Sequence, residues 1–239
     1  MDVVMPMSLY SRTFWNHPLT PIVPISILRV DLDERRMPRR AIELIRNGGL
    51  VAYPTDTVYG LGTSIFQEGG VRRIFEVKGR PPSDPLPILI ADVAQVEELA
   101  AVVPSVARDL MRRFWPGPLT IVLPRSSRVP EVVSGGGPSI ALRMPNHPIP
   151  LRLIQEAGVP IVGTSANSHG APSPITATQV ATDIGDRIDL ILDGGRTPHG
   201  IPSTVVDLTG AAPRVVRAGA LDPALLREVL GEVLVTGRV

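Results

Sequence analysis

The chain contains no cysteine. That excludes disulfides, a thiol nucleophile and thiolate metal sites. Its four histidines, His17, His147, His169 and His199, are scattered, with no helical i, i+4 pair, so an imidazole metal site is not expected. No apolar run approaches the ~20 residues of a membrane-spanning helix. Residues 1–7 lack the basic region of a signal peptide, and prolines at 6, 18, 21 and 24 interrupt the early apolar stretches. The expectation is a soluble, cytoplasmic protein with no membrane association. Net charge is only +1, which argues against holding nucleic acid by bulk charge alone. Lysine is nearly absent too: of 24 basic residues all but Lys78 are arginine. An ammonium is a compact point charge and a guanidinium a wide planar fork. A single lysine in so arginine-rich a chain marks a place where the fork does not fit, the plain alternative being a surface lysine retained by chance.

What is present suits one large domain or two small ones: 239 residues, 44% hydrophobic. Residues 1–27 have no apolar period and read as an extension compatible with disorder, leaving 28–239 as the folded domain. Helices are expected over 35–47 (capped by Asp33, with Pro38 in the first turn), 70–77, 93–101, 105–114, 148–157, 176–184 and 223–234. Strands are expected over 50–53, 86–90, 120–123, 139–143, 160–163, 190–192, 204–208 and 214–217. Strands alternate with helices early and follow one another late. That pattern predicts an α/β fold with a twisted, mixed parallel and antiparallel sheet flanked by helices.

Several strands end alike. Tyr53 runs into Pro54-Thr55-Asp56-Thr57, Val162-Gly163 into Thr164-Ser165-Ala166-Asn167, and Pro202 into Ser203-Thr204, while Arg143 and Arg217 each close a strand. If these strands share a sheet, their polar ends converge on one cleft. Hydroxyls and cations without a histidine base suit an anionic, oxygen-rich ligand better than acid–base hydrolysis. In Lys78-Gly79-Arg80-Pro81 an extended backbone presents both cations to one side; a solvated basic turn is the plain alternative. There is no P-loop, and Gly60-Leu61-Gly62-Thr63-Ser64-Ile65 lacks the third glycine of the dinucleotide fingerprint. Asp56 is a candidate general base, but a loop carboxylate bonding its own backbone is the preferred reading.

The segments GGLVAYPTDTVYGLG (48–62), KGRP (78–81), FWPGPLT (114–120), ALRMPNHP (141–148), TSAN (164–167), DGG (193–195), PSTVVD (202–207) and VRAGAL (216–221) follow the order seen in the YrdC-like family. The resemblance covers about residues 36–225. It implies an L-threonylcarbamoyladenylate synthase, a nucleotidyltransferase that joins L-threonine, bicarbonate and ATP and releases pyrophosphate, with Mg²⁺ accompanying the ATP. The product would serve threonylcarbamoyladenosine modification at position 37 of tRNA. By the same resemblance Thr55 faces threonine with Thr57 supporting that wall, Arg143 pairs with the threonine carboxylate, and Ser165 and Ser203 lie at the amino-acid end. Lys78, Arg80, Ser139, Asn167, Ser173 and Arg217 lie along the ATP.

Two positions depart from the family pattern. Many members read P-L-I-V-H after the KGRP turn, and here Leu89 stands where that histidine would be. Many longer members read G-V-E-S-T where this chain has Gly200-Ile201-Pro202-Ser203-Thr204. The chain resembles the short form of the family, which is expected to pass its product to a separate tRNA threonylcarbamoyl transferase complex. The competing readings are a paralogue of drifted activity and an RNA-binding module. The intact KGR, TSAN and Arg217 set opposes the first, and the near-zero net charge leaves only weak RNA binding to the second.

Overall fold

Tyr53 shows how the two halves of the fold are joined. Its ring lies across a neighbouring strand, and its hydroxyl donates to the Val162 carbonyl at 2.9 Å. In the computed structural model of the chain, the described residues are 25–231 apart from 32, 34 and 35, together with the backbone of 234 and 235. Of the extension expected over 1–27, residues 1–24 lie outside them.

The elements run in the order β1 (Ile27–Arg29), α1 (Arg39–Arg46), β2 (Val51–Tyr53), β3 (Gly60–Gly62), α2 (Glu68–Lys78), β4 (Ile88–Leu89), α3 (Ala94–Leu99), α4 (Ser105–Phe114) and β5 (Leu119–Pro124). They continue with α5 (Glu131–Ser134), β6 (Ser139–Arg143), α6 (Pro148–Ala157), β7 (Ile161–Val162), β8 (Thr164–Ser165), α7 (Ala177–Ile184), β9 (Leu190–Asp193), β10 (Thr204–Asp207), β11 (Arg214–Arg217), α8 (Pro223–Leu230) and β12 (Leu234–Val235). Among the described residues the strands form two mixed sheets, one in the order β1-β9-β2-β3-β8 and one in the order β12-β11-β10-β5-β6-β4-β7. The expected α/β class is present, with two sheets in place of the one inferred.

The sheets meet where β3 runs on toward β7. Val162 N–H donates to the Thr63 carbonyl at 2.9 Å, and a bridge links Ser64 to Ile161. Here the glycines of Tyr59-Gly60-Leu61-Gly62 are required by close approach. A Cβ on Gly60 would stand 2.8 Å from the Tyr53 ring, and one on Gly62 2.3 Å from the Val162 carbonyl oxygen. Glycine ordinarily weakens a strand, which is why β3 is absent from the sequence-based expectation. One apolar core includes Ile74, Leu86, Ile88, Leu110, Leu119, Ile121 and Leu142. A second gathers Ile45, Val51, Tyr53, Leu153, Ile161 and Leu192.

Several boundaries correct the sequence reading. Helix α1 begins at Arg39 with Pro38 as its N-cap, because a proline disfavours helical backbone in the residue before it; the N–H of Asp33 instead bonds the Asp31 carboxylate at 3.0 Å. Met37 N–H is taken by Glu156 of α6 at 2.9 Å, which fixes the entry to α1. Helix α8 stops at Leu230, where Gly231 takes φ 69°, and the chain then pairs Leu234 with Arg214 in parallel. β1, at the edge of the expected extension, pairs in parallel with β9.

Candidate active site

One end of the seven-stranded sheet carries the start of β5 and β10 and the end of β4, β6 and β11. The register requires this: β5 is antiparallel to β6 and parallel to β10, β10 is antiparallel to β11, and β4 is parallel to β6. Against that end lie the β2–β3 turn and β8 of the other sheet. The polar strand ends therefore converge, but from two sheets rather than one. Between them is a cavity of about 200 Å³ lined by Thr57, Val58, Arg80, Pro85, Pro87, Leu89, Thr120, Arg143, Gly163, Thr164, Ser165, Ser173, Pro202, Ser203 and Arg217.

Of the expected residues, Thr57, Arg80, Arg143, Ser165, Ser173, Ser203 and Arg217 line it; Thr55, Lys78, Asn167 and Ser139 do not. The β2–β3 turn shows why Thr55 is withdrawn. Its hydroxyl accepts from the N–H groups of Thr57 and Val58 at 3.1 and 3.2 Å and donates to the Val58 carbonyl at 2.7 Å. The Thr57 hydroxyl lies 2.9 Å from that of Thr55 and accepts from Arg143 Nη1 at 2.8 Å. Thr55 thus builds the turn and Thr57 faces the cavity, the reverse of the expected order. Ser139 stands at the opposite end of β6 from Arg143, beside Pro124, four residues or ~13 Å away along the strand.

Lys78 and Arg80 are not in one extended segment. Lys78 ends α2, and Gly79 closes the helix in the left-handed conformation at φ 63°. The turn sends Arg80 to the cavity and Lys78 inward. The buried ammonium donates to the carbonyls of Ser165 and Asn167, both at 2.6 Å, while the Lys78 carbonyl accepts from His169 N–H at 2.7 Å. The TSAN loop is thereby fastened to the end of α2. Burial, aided by the nearby Arg80 charge, pushes the Lys78 pKa down to about 8. Asn167 donates to the carbonyls of Ser168 and Ala171 at 2.8 and 2.7 Å, and its Oδ1 is buried without a hydrogen-bond partner.

The cavity is cationic. Burial lowers the pKa of Arg80, Arg143 and Arg217, and Arg143 and Arg80 lower that of Arg217 further. No carboxylate is among the lining residues. Arg217 is held by the Ser203 carbonyl through Nε at 3.0 Å and Nη2 at 2.9 Å. Arg143 donates through Nε to the Gly117 carbonyl at 3.0 Å and through Nη2 to Asp56 Oδ1 at 2.5 Å. The Asp56 carboxylate is therefore paired with Arg143 and accepts from Asn146 N–H at 3.2 Å, while the N–H groups of its own turn go to the Thr55 hydroxyl, which corrects the reading of a carboxylate bonding its own backbone. Sequence reasoning missed Thr120, whose hydroxyl meets that of Ser203 at 2.8 Å. It was legible as another hydroxyl beside a Pro-Gly-Pro turn.

Size alone would have selected a different hollow, of about 440 Å³, beside Phe66, Leu99 and Pro160. Its cation, Arg128, is paired with Glu98 at 3.0 Å, so it offers no comparable anion site.

Leu89 occupies the cavity wall over Gly163, where an added Cβ would come 2.3 Å from Leu89 Cγ. Gly163→Ala is expected to destabilise the fold by about 1–3 kcal/mol through overpacking. Leu89→Ala in the same chain should remove part of that loss. Thermal unfolding of the two single variants and the double variant checks the coupling; purely additive losses would show that the two side chains do not compete for this space.

The cavity's composition and the order of the motifs around it have parallels in known proteins. The family Sua5_yciO_yrdC, described as "Telomere recombination", matches residues 43–219. The chain is 50% identical over 195 residues to the threonylcarbamoyl-AMP synthase of Pyrococcus abyssi, covering 82% of this chain and 57% of that protein. It is 43% identical over 195 residues to the enzyme of the same name from Bacillus subtilis, covering 81% and 56%. The crystal structure of P. abyssi Sua5 complexed with L-threonine superposes with a TM-score of 0.84 at 47% identity, over 87% of this chain and 62% of that one. The chain thus spans little more than half the length of these two curated relatives. With the family matched over most of its length and the mixed sheets shared, the chain belongs to the Sua5/YciO/YrdC family.

Proposed function

We propose that this chain is an L-threonylcarbamoyladenylate synthase, an enzyme that makes threonylcarbamoyl-AMP and pyrophosphate from L-threonine, bicarbonate and ATP. The observation that carries this reading is a cavity lined by three arginines and several hydroxyls, with no lining carboxylate. Such a site suits a ligand with both carboxylate and phosphate groups. The names of the P. abyssi and B. subtilis relatives, and the threonine bound in the P. abyssi structure, select among ligands of that class.

In this reading the threonine amine attacks bicarbonate and water leaves, giving a carbamate. A carbamate oxygen then attacks the α-phosphorus of ATP, the bond to the bridging oxygen breaks, and pyrophosphate departs with its electron pair. The chain's part is positioning and charge stabilisation. Arg143 has N–H groups beyond the three it uses internally and would take the threonine carboxylate. Thr57, Ser165 and Ser203 would line the amino-acid end. Arg80, Arg217 and Ser173 would follow the nucleotide and its phosphates. Lys78 would hold the TSAN loop through two N–H groups and offer the third to a phosphate, with Asn167 near the nucleotide. Ser139, at the far end of β6, takes no part in this assignment.

Mg²⁺ would arrive with the ATP. Among the described residues no group of three or more His, Asp or Glu side chains could hold a metal ion. Its ligands would be phosphate oxygens and water. Among the described residues no helix is long and apolar enough to cross a membrane. The proposed setting is the cytoplasm, where the product would pass to a tRNA threonylcarbamoyl transferase complex; weak RNA binding would be secondary.

The test is pyrophosphate release from Mg·ATP. Release is expected only when L-threonine and bicarbonate are both present. ATP binding without release would favour a paralogue of drifted activity. RNA binding with a steep salt dependence and no response to ATP would favour a binding module.

A further inference from the structure

Asp56 is an odd residue to bury. Its side chain is 5% exposed, yet it does not line the cavity, so it is not placed to take a proton from a substrate there. Oδ1 accepts from Arg143 Nη2 at 2.5 Å and from Asn146 N–H at 3.2 Å. Oδ2 is buried with no hydrogen-bond partner. A carboxylate present only to brace a turn would be expected to satisfy both oxygens.

The neighbouring imidazole does not share the charge. His147 accepts from Ile149 N–H through Nδ1 at 3.3 Å, and burial lowers its pKa to about 4 although the Asp56 charge acts the other way. Neutral at ordinary pH, it leaves Arg143 as the cation that directly pairs with Asp56. Arg143 needs such a partner. It is nearly as buried as Asp56 and faces a cavity that also holds Arg80 and Arg217. The Gly117 carbonyl, the Thr57 hydroxyl and Asp56 grip Nε, Nη1 and Nη2 in turn. Of these three acceptors only Asp56 is charged.

We infer that Asp56 is a positioning residue for the amino-acid end of the site. It supplies the buried counter-charge that keeps the Arg143 guanidinium in one plane, with its unused N–H groups available to a carboxylate. The inference rests on the synthase reading for its ligand, but the geometry it asserts can be measured independently. Outer partners of this kind orient a binding group without touching the ligand.

The experiment combines Asp56→Asn, Asp56→Glu, Arg143→Gln and Asp56→Asn/Arg143→Gln in the full chain. In steady-state pyrophosphate release, Asp56→Asn is expected to raise KM for L-threonine about tenfold or more and to leave KM for ATP within about twofold. In the Arg143→Gln background the same change should have no further effect on kcat/KM for threonine. In ¹H–¹⁵N spectra the Arg143 guanidinium signals, identified by their loss in Arg143→Gln, should be resolved in the wild type and averaged in Asp56→Asn. Asp56→Glu keeps the charge but displaces the guanidinium, so it tests the same selectivity should Asp56→Asn not fold. Three results overturn the proposal: KM values for both substrates rising by one factor, an undiminished effect in the Arg143→Gln background, or Arg143 signals that do not change. If the wild type shows no threonine-dependent release, the synthase reading fails and the spectra alone decide whether Asp56 positions Arg143.

Discussion

Lys78→Ala is expected to lower kcat/KM for ATP by about 10²–10³-fold, the effect of removing one preorganised charge-stabilising donor. It acts twice. In the proposed reading the phosphate end loses an ammonium. The Asn167 carbonyl, now 2.6 Å from Nζ, loses that donor, and the Ser165 carbonyl, also 2.6 Å from Nζ, is left with the Asn167 N–H at 3.0 Å. An unpaired buried acceptor costs about 1–3 kcal/mol, so the TSAN loop should loosen and thermal unfolding should fall as well. Lys78→Arg tests the argument from the single lysine. The side chain is 4% exposed and its two acceptors converge on one nitrogen, a geometry a planar fork does not reproduce. The arginine variant should therefore be nearly as defective as the alanine one. Full activity in it would leave the structure intact and sink the claim that a point charge is required.

The same residue gives a pH dependence with two opposite readouts. Below about pH 8 Lys78 is charged in the native state; above it the amine is neutral. A neutral amine still has two N–H donors, enough for both carbonyls, so the loop stays fastened while the charge is lost. If the charge serves a phosphate, kcat/KM for ATP should fall as pH rises through about 8, with the limb displaced upward in kcat because bound phosphate favours the ammonium. Stability moves the other way. The native pKa lies below the usual 10.5, so between these values the unfolded chain binds the extra proton, and this group's contribution to stability rises with pH. A flat activity profile to pH 9 in an intact fold would confine Lys78 to holding the loop.

How much of this was legible in the sequence depended on whether a signal was local. The strand Ser139–Arg143 and the helices Ser105–Phe114 and Pro148–Ala157 match the expected bounds, because their caps, prolines and apolar spacing lie within the segment. β3 and β8 do not: Gly60–Gly62 has poor strand composition and forms a strand where the Tyr53 ring packs over its glycines, and Thr164–Ser165, only two residues long, is a strand through its pairing with β3. The site was legible as an inventory of polar strand ends but not as an arrangement. Nothing in Pro54-Thr55-Asp56-Thr57 tells which threonine turns inward. That follows from Arg143, 86 residues away from Thr57 along the chain. Nor does Lys-Gly-Arg announce that its glycine takes the left-handed conformation and parts the two cations.

Arg143→Ala should give the largest stability loss among the site residues. Removing the guanidinium leaves Asp56 as a buried carboxylate without its cation, a change that costs about 3–5 kcal/mol. For a chain of this size that corresponds to a fall of roughly 6–20 °C in Tm. Activity should be lost too, since the proposed carboxylate contact is gone. The two losses have different causes, and a second substitution separates them. Asp56→Ala in the Arg143→Ala background removes the stranded charge, and much of the stability should return, because the penalty lies in the unpaired carboxylate rather than in the absent contacts. Threonine-dependent pyrophosphate release should not return, because the guanidinium proposed to take the threonine carboxylate is still absent. A stability loss under about 1 kcal/mol in Arg143→Ala, the range of exposed pairs, would mean that water reaches Asp56 once the arginine is gone. The pair would then hold the arginine in place without being needed to hold the fold together.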